Sequence, residues 1–145
     1  MFFGTYKHSL DTKGRIIIPA NCRDELGSQF LLMRGIEECL YVYPGTEMQK
    51  FEAQFATIPR TDRNGQAFIR MFMSSMSVCD FDNQGRIGIP ADLREYAGLK
   101  KDAVVIGAYT RLEIWSADKW QQYSAEMQDR DTLDKILADV TSKTE

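Results

Sequence analysis

The sequence predicts an α+β fold, mainly β, assembled from two tandem copies of one unit. Three observations carry that prediction. Asp11-Thr-Lys-Gly-Arg-Ile-Ile-Ile-Pro-Ala20 returns 71 residues later as Asp82-Asn-Gln-Gly-Arg-Ile-Gly-Ile-Pro-Ala91. Buried-type residues alternate after each turn, at Ile16 and Ile18 and again at Ile87 and Ile89, the period of a strand with one buried face. Each copy then runs into a short segment with helix start and stop signals. One such unit has too little apolar surface to bury a core alone, whereas two can close on each other about a pseudo-two-fold axis.

Within each copy, Asp-x-x-Gly is the preferred pattern of a type I turn: Asp caps it through its side chain, and Gly takes the left-handed conformation without steric cost. A strand precedes each turn, over 5–10 and 77–81. Each motif therefore reads as a β-hairpin, with Arg15 and Arg86 beginning its second arm at the edge of the turn. Pro19 and Pro90 end those strands and open short helices over 19–26 and 90–97, which stop at Gly27 and Gly98. The apolar runs 30–33 and 103–106 read as strands, each followed by a glycine and a further strand, 39–43 and 111–115. A helix closes each half, with Thr46 and Gln49, or Asp118 and Gln121, placed to form capping boxes. Between the halves, 57–66 reads as a polar turn region and 67–75 as a connecting helix. Leu133, Ile136, Leu137 and Val140 give 129–140 a helical stripe that can pack on the body or on a neighbouring subunit, and 141–145 reads as a frayed end. The expected organisation is a first repeat over 5–47, connecting helices over 48–76, a second repeat over 77–120, and a C-terminal helix and tail over 121–145.

At 145 residues the chain is one domain, or two small lobes sharing a core. No apolar run approaches the roughly 20 residues that span a bilayer, and the first residues lack the charged lead and apolar stretch of a secretion signal. Neither a membrane nor an export route is expected. Cys22, Cys39 and Cys79 are odd in number and lack Cys-x-x-Cys spacing, which points to a reducing compartment rather than a disulfide framework or a zinc site. The net charge of −3 argues against nucleic acid when taken whole. Its distribution changes that argument. Residues 1–23 hold four basic side chains against the single acid Asp11, whereas 116–145 hold seven acids against four bases. The acidity sits in the tail, and the first motif lies in a locally positive stretch.

Little in the chain points to catalysis. His8 is the only histidine and no cysteine lies near it in sequence; there is no phosphate-binding Gly-rich loop, dinucleotide fingerprint or metal-ligand cluster. No cofactor, metal or enzymatic activity is expected. Asp11 and Asp82 are related by the repeat and could form a proton-sharing dyad, but each is followed four residues later by an arginine that would lower its pKa. A turn-capping aspartate is the cheaper account. The arginines point elsewhere. Arg15 and Arg86 stand at the expected hairpin tips, where a β-ribbon can reach a DNA groove, and a guanidinium suits guanine edges and phosphates alike. A salt bridge to the Asp of its own turn is the simplest role for either arginine. It is compatible with DNA contact, because the Asp fixes the rotamer while the outer nitrogens stay free. Lys13 adds a cation to the first motif; the second has Gln84 in its place and extra acids at Asp80 and Asp92, so electrostatics favour the first. Arg23 and Arg94 also repeat, on the short helices, and read as structural ion-pair partners. Arg60, Arg63 and Arg70 read as a solvated face. Phe68 and Phe72, with Met71, Met73 and Met76, read as a core stripe, any exposed part of which would serve assembly.

Taken with Met1-Phe-Phe-Gly4 and Arg70-Met-Phe-Met-Ser-Ser75, the two motifs make the chain resemble the MraZ family over nearly its whole length. These are bacterial regulators related to the AbrB and MazE DNA-binding folds. The resemblance implies a swapped-hairpin, double-split β-barrel formed by two AbrB-like repeats, here carried by one chain, with short helices around it. It further implies a ring-shaped homo-oligomer that binds tandem direct repeats in the promoter of the division and cell-wall gene cluster. The family typically represses transcription there, in the cytoplasm and on the nucleoid. Its DNA-reading arginine corresponds to Arg15, with Arg86 as the counterpart in the second half. Lys13 joins them, and Asp11, Gly14, Asp82 and Gly85 support the motifs. A ring would multiply weak contacts over spaced repeats. Two rival readings are an antitoxin-like partner binder and a structural oligomer without a DNA role.

Overall fold

The computed structural model describes residues 1–144. The strands are β1 (Thr5–Ser9), β2 (Arg15–Ile17), β3 (Phe30–Arg34), β4 (Leu40–Pro44), β5 (Ser77–Cys79), β6 (Arg86–Gly88), β7 (Asp102–Gly107) and β8 (Leu112–Ser116). The helices are α1 (Ala20–Leu26), α2 (Met48–Phe55), α3 (Arg63–Ser74), α4 (Ala91–Ala97), α5 (Ala117–Gln128) and α6 (Arg130–Thr144). The result is a mixed α/β fold with antiparallel strand pairing.

Six strands form one sheet in the order β1-β7-β8-β4-β3-β5, and β2 pairs with β6 in a separate two-stranded ribbon. Exchanging equivalent strands of the two repeats reverses the six-stranded order onto itself, so the internal repeat of the sequence is expressed as a pseudo-two-fold. At the centre of the ribbon, Ile16 faces its own counterpart Ile87. The expected hairpins do not form. The strands flanking each Asp-x-x-Gly turn pair elsewhere: β1 with β7 of the second repeat, and β5 with β3 of the first. The turn leaves each chain segment crossing between sheets, and cross-repeat pairing satisfies the backbone groups a hairpin would have used.

The ribbon lies against one face of the six-stranded sheet. Ile16, Ile18, Ile87 and Ile89 pack there with Phe30, Leu32, Leu40, Val42, Val105, Leu112 and Ile114, and with Leu26 and Leu93 of α1 and α4. The alternate residues of the same strands, among them Leu31, Met33, Tyr41, Tyr43, Val104, Ile106 and Trp115, form a second cluster on the other face. Phe51, Phe55 and Phe72 of α2 and α3 cover that cluster on one side, and Trp120 and Tyr123 of α5 on the other. Burial of both faces explains why β3, β4, β7 and β8 read as continuous apolar runs rather than as alternating strands.

Helix boundaries depart from the sequence reading where capping differs. α1 and α4 begin one residue after Pro19 and Pro90, which sit extended at the N-cap position. Neither expected capping box forms. Residues Gly45–Glu47 make a 3₁₀ turn leading into α2, which has no side-chain cap. At α5 the cap is Ser116, whose hydroxyl accepts from the Lys119 amide. α3 starts inside the expected turn region because Asp62 caps it, accepting from the Gly65 amide at 3.1 Å. α6 remains helical to Thr144, past the expected fraying point; Glu145 lies outside the described residues.

Candidate nucleic-acid interface

Each turn is closed by its glycine, the Gly14 amide donating to the Asp11 carbonyl and the Gly85 amide to the Asp82 carbonyl, both at 3.0 Å. Both glycines have φ of 74°, the left-handed region that other residues enter at a cost. The aspartates then do two jobs. Oδ1 of Asp11 accepts from the backbone N–H of Lys13 and of Arg15, and Oδ1 of Asp82 from that of Gln84 and of Arg86, all at 2.9 Å. The second carboxylate oxygen holds the guanidinium, with Arg15 Nε donating to Asp11 Oδ2 at 2.7 Å and Arg86 Nε to Asp82 Oδ2 at 2.8 Å. The Asp-x-x-x-Arg spacing thus caps a turn and fixes an arginine rotamer with one side chain.

The ribbon brings the two arginines together. Its register pairs Arg15 with Gly88, Ile16 with Ile87 and Ile17 with Arg86. Because side chains alternate across a strand, the fully buried Ile16 and Ile87 point into the core and both arginines project from the opposite face. They are not at separate hairpin tips: they share one outward face of a ribbon built from a strand of each repeat. Arg86 Nη1 reaches across to Asp11 Oδ2 at 3.5 Å, so Arg86 lies between two carboxylates while Arg15 bonds to one. Side-chain exposure follows, 33% for Arg15 and 23% for Arg86. Lys13 is exposed on the first turn, and Ile17 is exposed on the same ribbon face.

The carboxylates are ionised at neutral pH. The backbone N–H of Arg15 does most to lower the Asp11 pKa, to about 2; partial desolvation opposes it, and the Arg15 side chain and the Lys13 amide add to the lowering. Asp82 is lowered by the same arrangement, led by the Arg86 amide. A proton-sharing pair needs one carboxyl raised, which is the reverse of this pattern.

The sequence reading missed the placement of Arg23 and Arg94. Each crosses to the other repeat's turn: a Cβ on Gly14 would collide with the Arg94 guanidinium, and a Cβ on Gly85 with that of Arg23. Among the described residues neither forms the expected ion pair, and none of their guanidinium nitrogens is both buried and unpartnered. The signal available in sequence was spacing, since Arg23 and Arg94 each follow the motif arginine by eight residues. Elsewhere, Arg60, Arg63 and Arg70 are exposed. His8 lines a shallow groove with Lys7, Asp102 and Trp120, and no cysteine borders it. Among the described residues no three potential metal ligands converge, and no helix is long and apolar enough to cross a membrane.

The profile of the MraZ protein family, described as antitoxin-like, matches twice, over residues 1–71 and 71–140. A protein of Halothermothrix orenii named transcriptional regulator MraZ is 50% identical over 123 residues, which cover 85% of this chain and 86% of the relative. A namesake in Alkaliphilus metalliredigens is 48% identical over 124 residues, covering 86% and 87%. In Moorella thermoacetica the corresponding figures are 45% over 130 residues, 90% and 91%. With its fold doubled as the family profile is doubled, and with relatives matching over 85% of its length or more, the chain belongs to the MraZ family.

Proposed function

We propose that this protein is a sequence-specific DNA-binding transcriptional regulator. It acts as a repressor, binding tandem direct repeats in the promoter of the bacterial division and cell-wall gene cluster as a ring-shaped homo-oligomer on the nucleoid. The observation that carries the reading is the shared outward face of the ribbon. Two guanidinium groups, each held through Nε by the carboxylate of its own turn, project from a two-stranded element that B-DNA's major groove can admit; Arg15 keeps both outer nitrogens for a ligand, and Arg86, whose Nη1 leans on Asp11, keeps one. Arg15 and Lys13 make the principal contacts, Arg86 the secondary one, and Asp11, Gly14, Asp82 and Gly85 shape the turns. The packing of the ribbon against the sheet favours the double-split barrel of the family as the closed form of this core. The naming of the relatives as transcriptional regulators supports the same assignment.

The ring answers the net charge of −3. One subunit offers few cations, and several subunits on spaced repeats raise affinity through effective concentration. Exposed Phe68, Met71 and Met73 on α3 and Ile136, Leu137 and Val140 on α6 supply apolar surface for assembly. A footprint of the purified protein on the promoter upstream of its own reading frame tests the proposal. Protection of regularly spaced repeats is expected, with little binding to one isolated repeat. Equal affinity for one repeat and for the array would refute the cooperative part, and no protection would refute the whole.

A further inference from the structure

Arg23 and Arg94 are unexplained by the contacts within the chain. They sit at matching positions on α1 and α4, and each lays its guanidinium over the turn glycine of the opposite repeat. Among the described residues no carboxylate lies within ion-pair reach of either, whereas the motif arginines beside them are both clamped. Both are only half-buried, and their nitrogens keep access to water. A guanidinium held in place by packing, unneutralised and solvated, is a ready anion site.

Their spacing identifies the anion. The ends of the ribbon are fixed by the Ile18 amide on the Gly85 carbonyl and the Ile89 amide on the Gly14 carbonyl. Gly14 and Gly85 are thus about four residues apart along the ribbon, roughly 13 Å at strand rise. The major groove is about 12 Å wide. With the ribbon face turned into the groove, Arg15 and Arg86 meet base edges and the two turns meet the phosphate walls. We infer that Arg94 and Arg23 bind DNA phosphates on opposite edges of the groove, Arg94 completing the first turn and Arg23 the second. This rests on the DNA-binding reading above and adds to it a division of labour: ribbon arginines discriminate sequence, helix arginines supply position and affinity.

The test is fluorescence anisotropy on the full-length protein across a salt series, with a duplex from its own promoter and an unrelated duplex of equal length. R94M and R23M keep an apolar stem over the glycine and remove the charge. Each lost phosphate contact lowers the slope of log affinity against log salt by about 0.9. Affinity is expected to fall on the order of tenfold per site, by the same factor on both duplexes, so that the ratio between them is unchanged. An unaltered slope, or a loss confined to the promoter duplex, overturns the assignment. Duplexes carrying one neutral methylphosphonate at a time provide an independent measurement on wild-type protein, which also serves if a variant does not fold. Sensitive phosphates on both groove edges are expected, and sensitivity on neither edge overturns the proposal. Wild-type protein that binds neither duplex would instead sink the DNA-binding reading itself.

Discussion

Replacing Arg15 with alanine separates a reading residue from a structural one. In the folded protein Asp11 loses the 2.7 Å bond to Arg15 Nε, but keeps the backbone amides of Lys13 and Arg15 and the approach of Arg86 Nη1. The turn therefore retains its cap, the inward neighbour Ile16 is untouched, and the half-exposed pair is of the kind that contributes little to stability. A melting temperature close to wild type is expected. Binding is another matter. One base-reading contact is worth about 1–3 kcal/mol, a loss of about five- to 150-fold for each engaged subunit, compounded when several subunits act together. Arg86→Ala removes a side chain that is less exposed and shared between two carboxylates, and should weaken binding less. Anisotropy at about 0.15 M salt on the promoter array, with circular dichroism melts on the same samples, reads both effects. Native affinity in the R15A variant would refute the role given to the ribbon face. A collapse of the melt would make Arg15 structural.

Three further outcomes follow from the same geometry. Gly14→Ala forces a left-handed alanine and a clash with Arg94, and Gly85→Ala does the same against Arg23. A cost of about 1–2 kcal/mol each should lower the melting temperature by several degrees, and an unchanged melt would show that the turns relax freely. Asp11, at about 2, and Asp82 have folded pKa values below their ordinary 3.8, so their contribution is complete above pH 4 and lost as pH falls from about 4 towards 2. Urea unfolding at pH 5 and pH 3 should show a smaller acid loss in D11N/D82N than in wild type, and equal losses would place the acid sensitivity elsewhere. Ile16→Ala opens a cavity where Ile16 meets Ile87, both without exposed surface, and should cost about 2–5 kcal/mol in denaturant unfolding. A loss under 1 kcal/mol would mean that the ribbon is not seated in the core.

The local pattern of the chain was legible and the pairing was not. Turn chemistry announced Asp11, Gly14, Asp82 and Gly85, because backbone conformation at a turn is decided within four residues. Alternation announced which isoleucines face inward. The identity of each strand's partner is a long-range matter, and the hairpin that local pattern favoured for β1 and β2 lost to pairing with β7 and β6. Burying both faces of the large sheet erased the period-2 signal in β3, β4, β7 and β8, so composition rather than alternation marked them. The capping residues were misassigned for two different reasons: α5 begins earlier than the pattern suggested, so Ser116 rather than Asp118 caps it, and α2 is entered from a 3₁₀ turn with no side-chain cap. The same exchange hid Arg23 and Arg94: read within their own repeat they look like structural ion-pair partners, and only the structure shows that each lies against the turn glycine of the other repeat.

That exchange bears on function. A reading surface placed on a hairpin would belong to one repeat and could exist without the other. Here the ribbon takes β2 from one half and β6 from the other, Arg86 touches the carboxylate of the first motif, and each turn is covered by an arginine of the opposite half. The face is therefore formed only when both halves fold, and each copy constrains its counterpart. Divergence between the copies is also contained by this coupling. Gln84 can stand where the first turn has Lys13 without unmaking the site, because Arg15 still shares the ribbon face with Arg86 and Lys13 remains on the adjoining turn. Duplication within one chain thus permits an asymmetric outward face, which a symmetric pair of identical chains cannot offer.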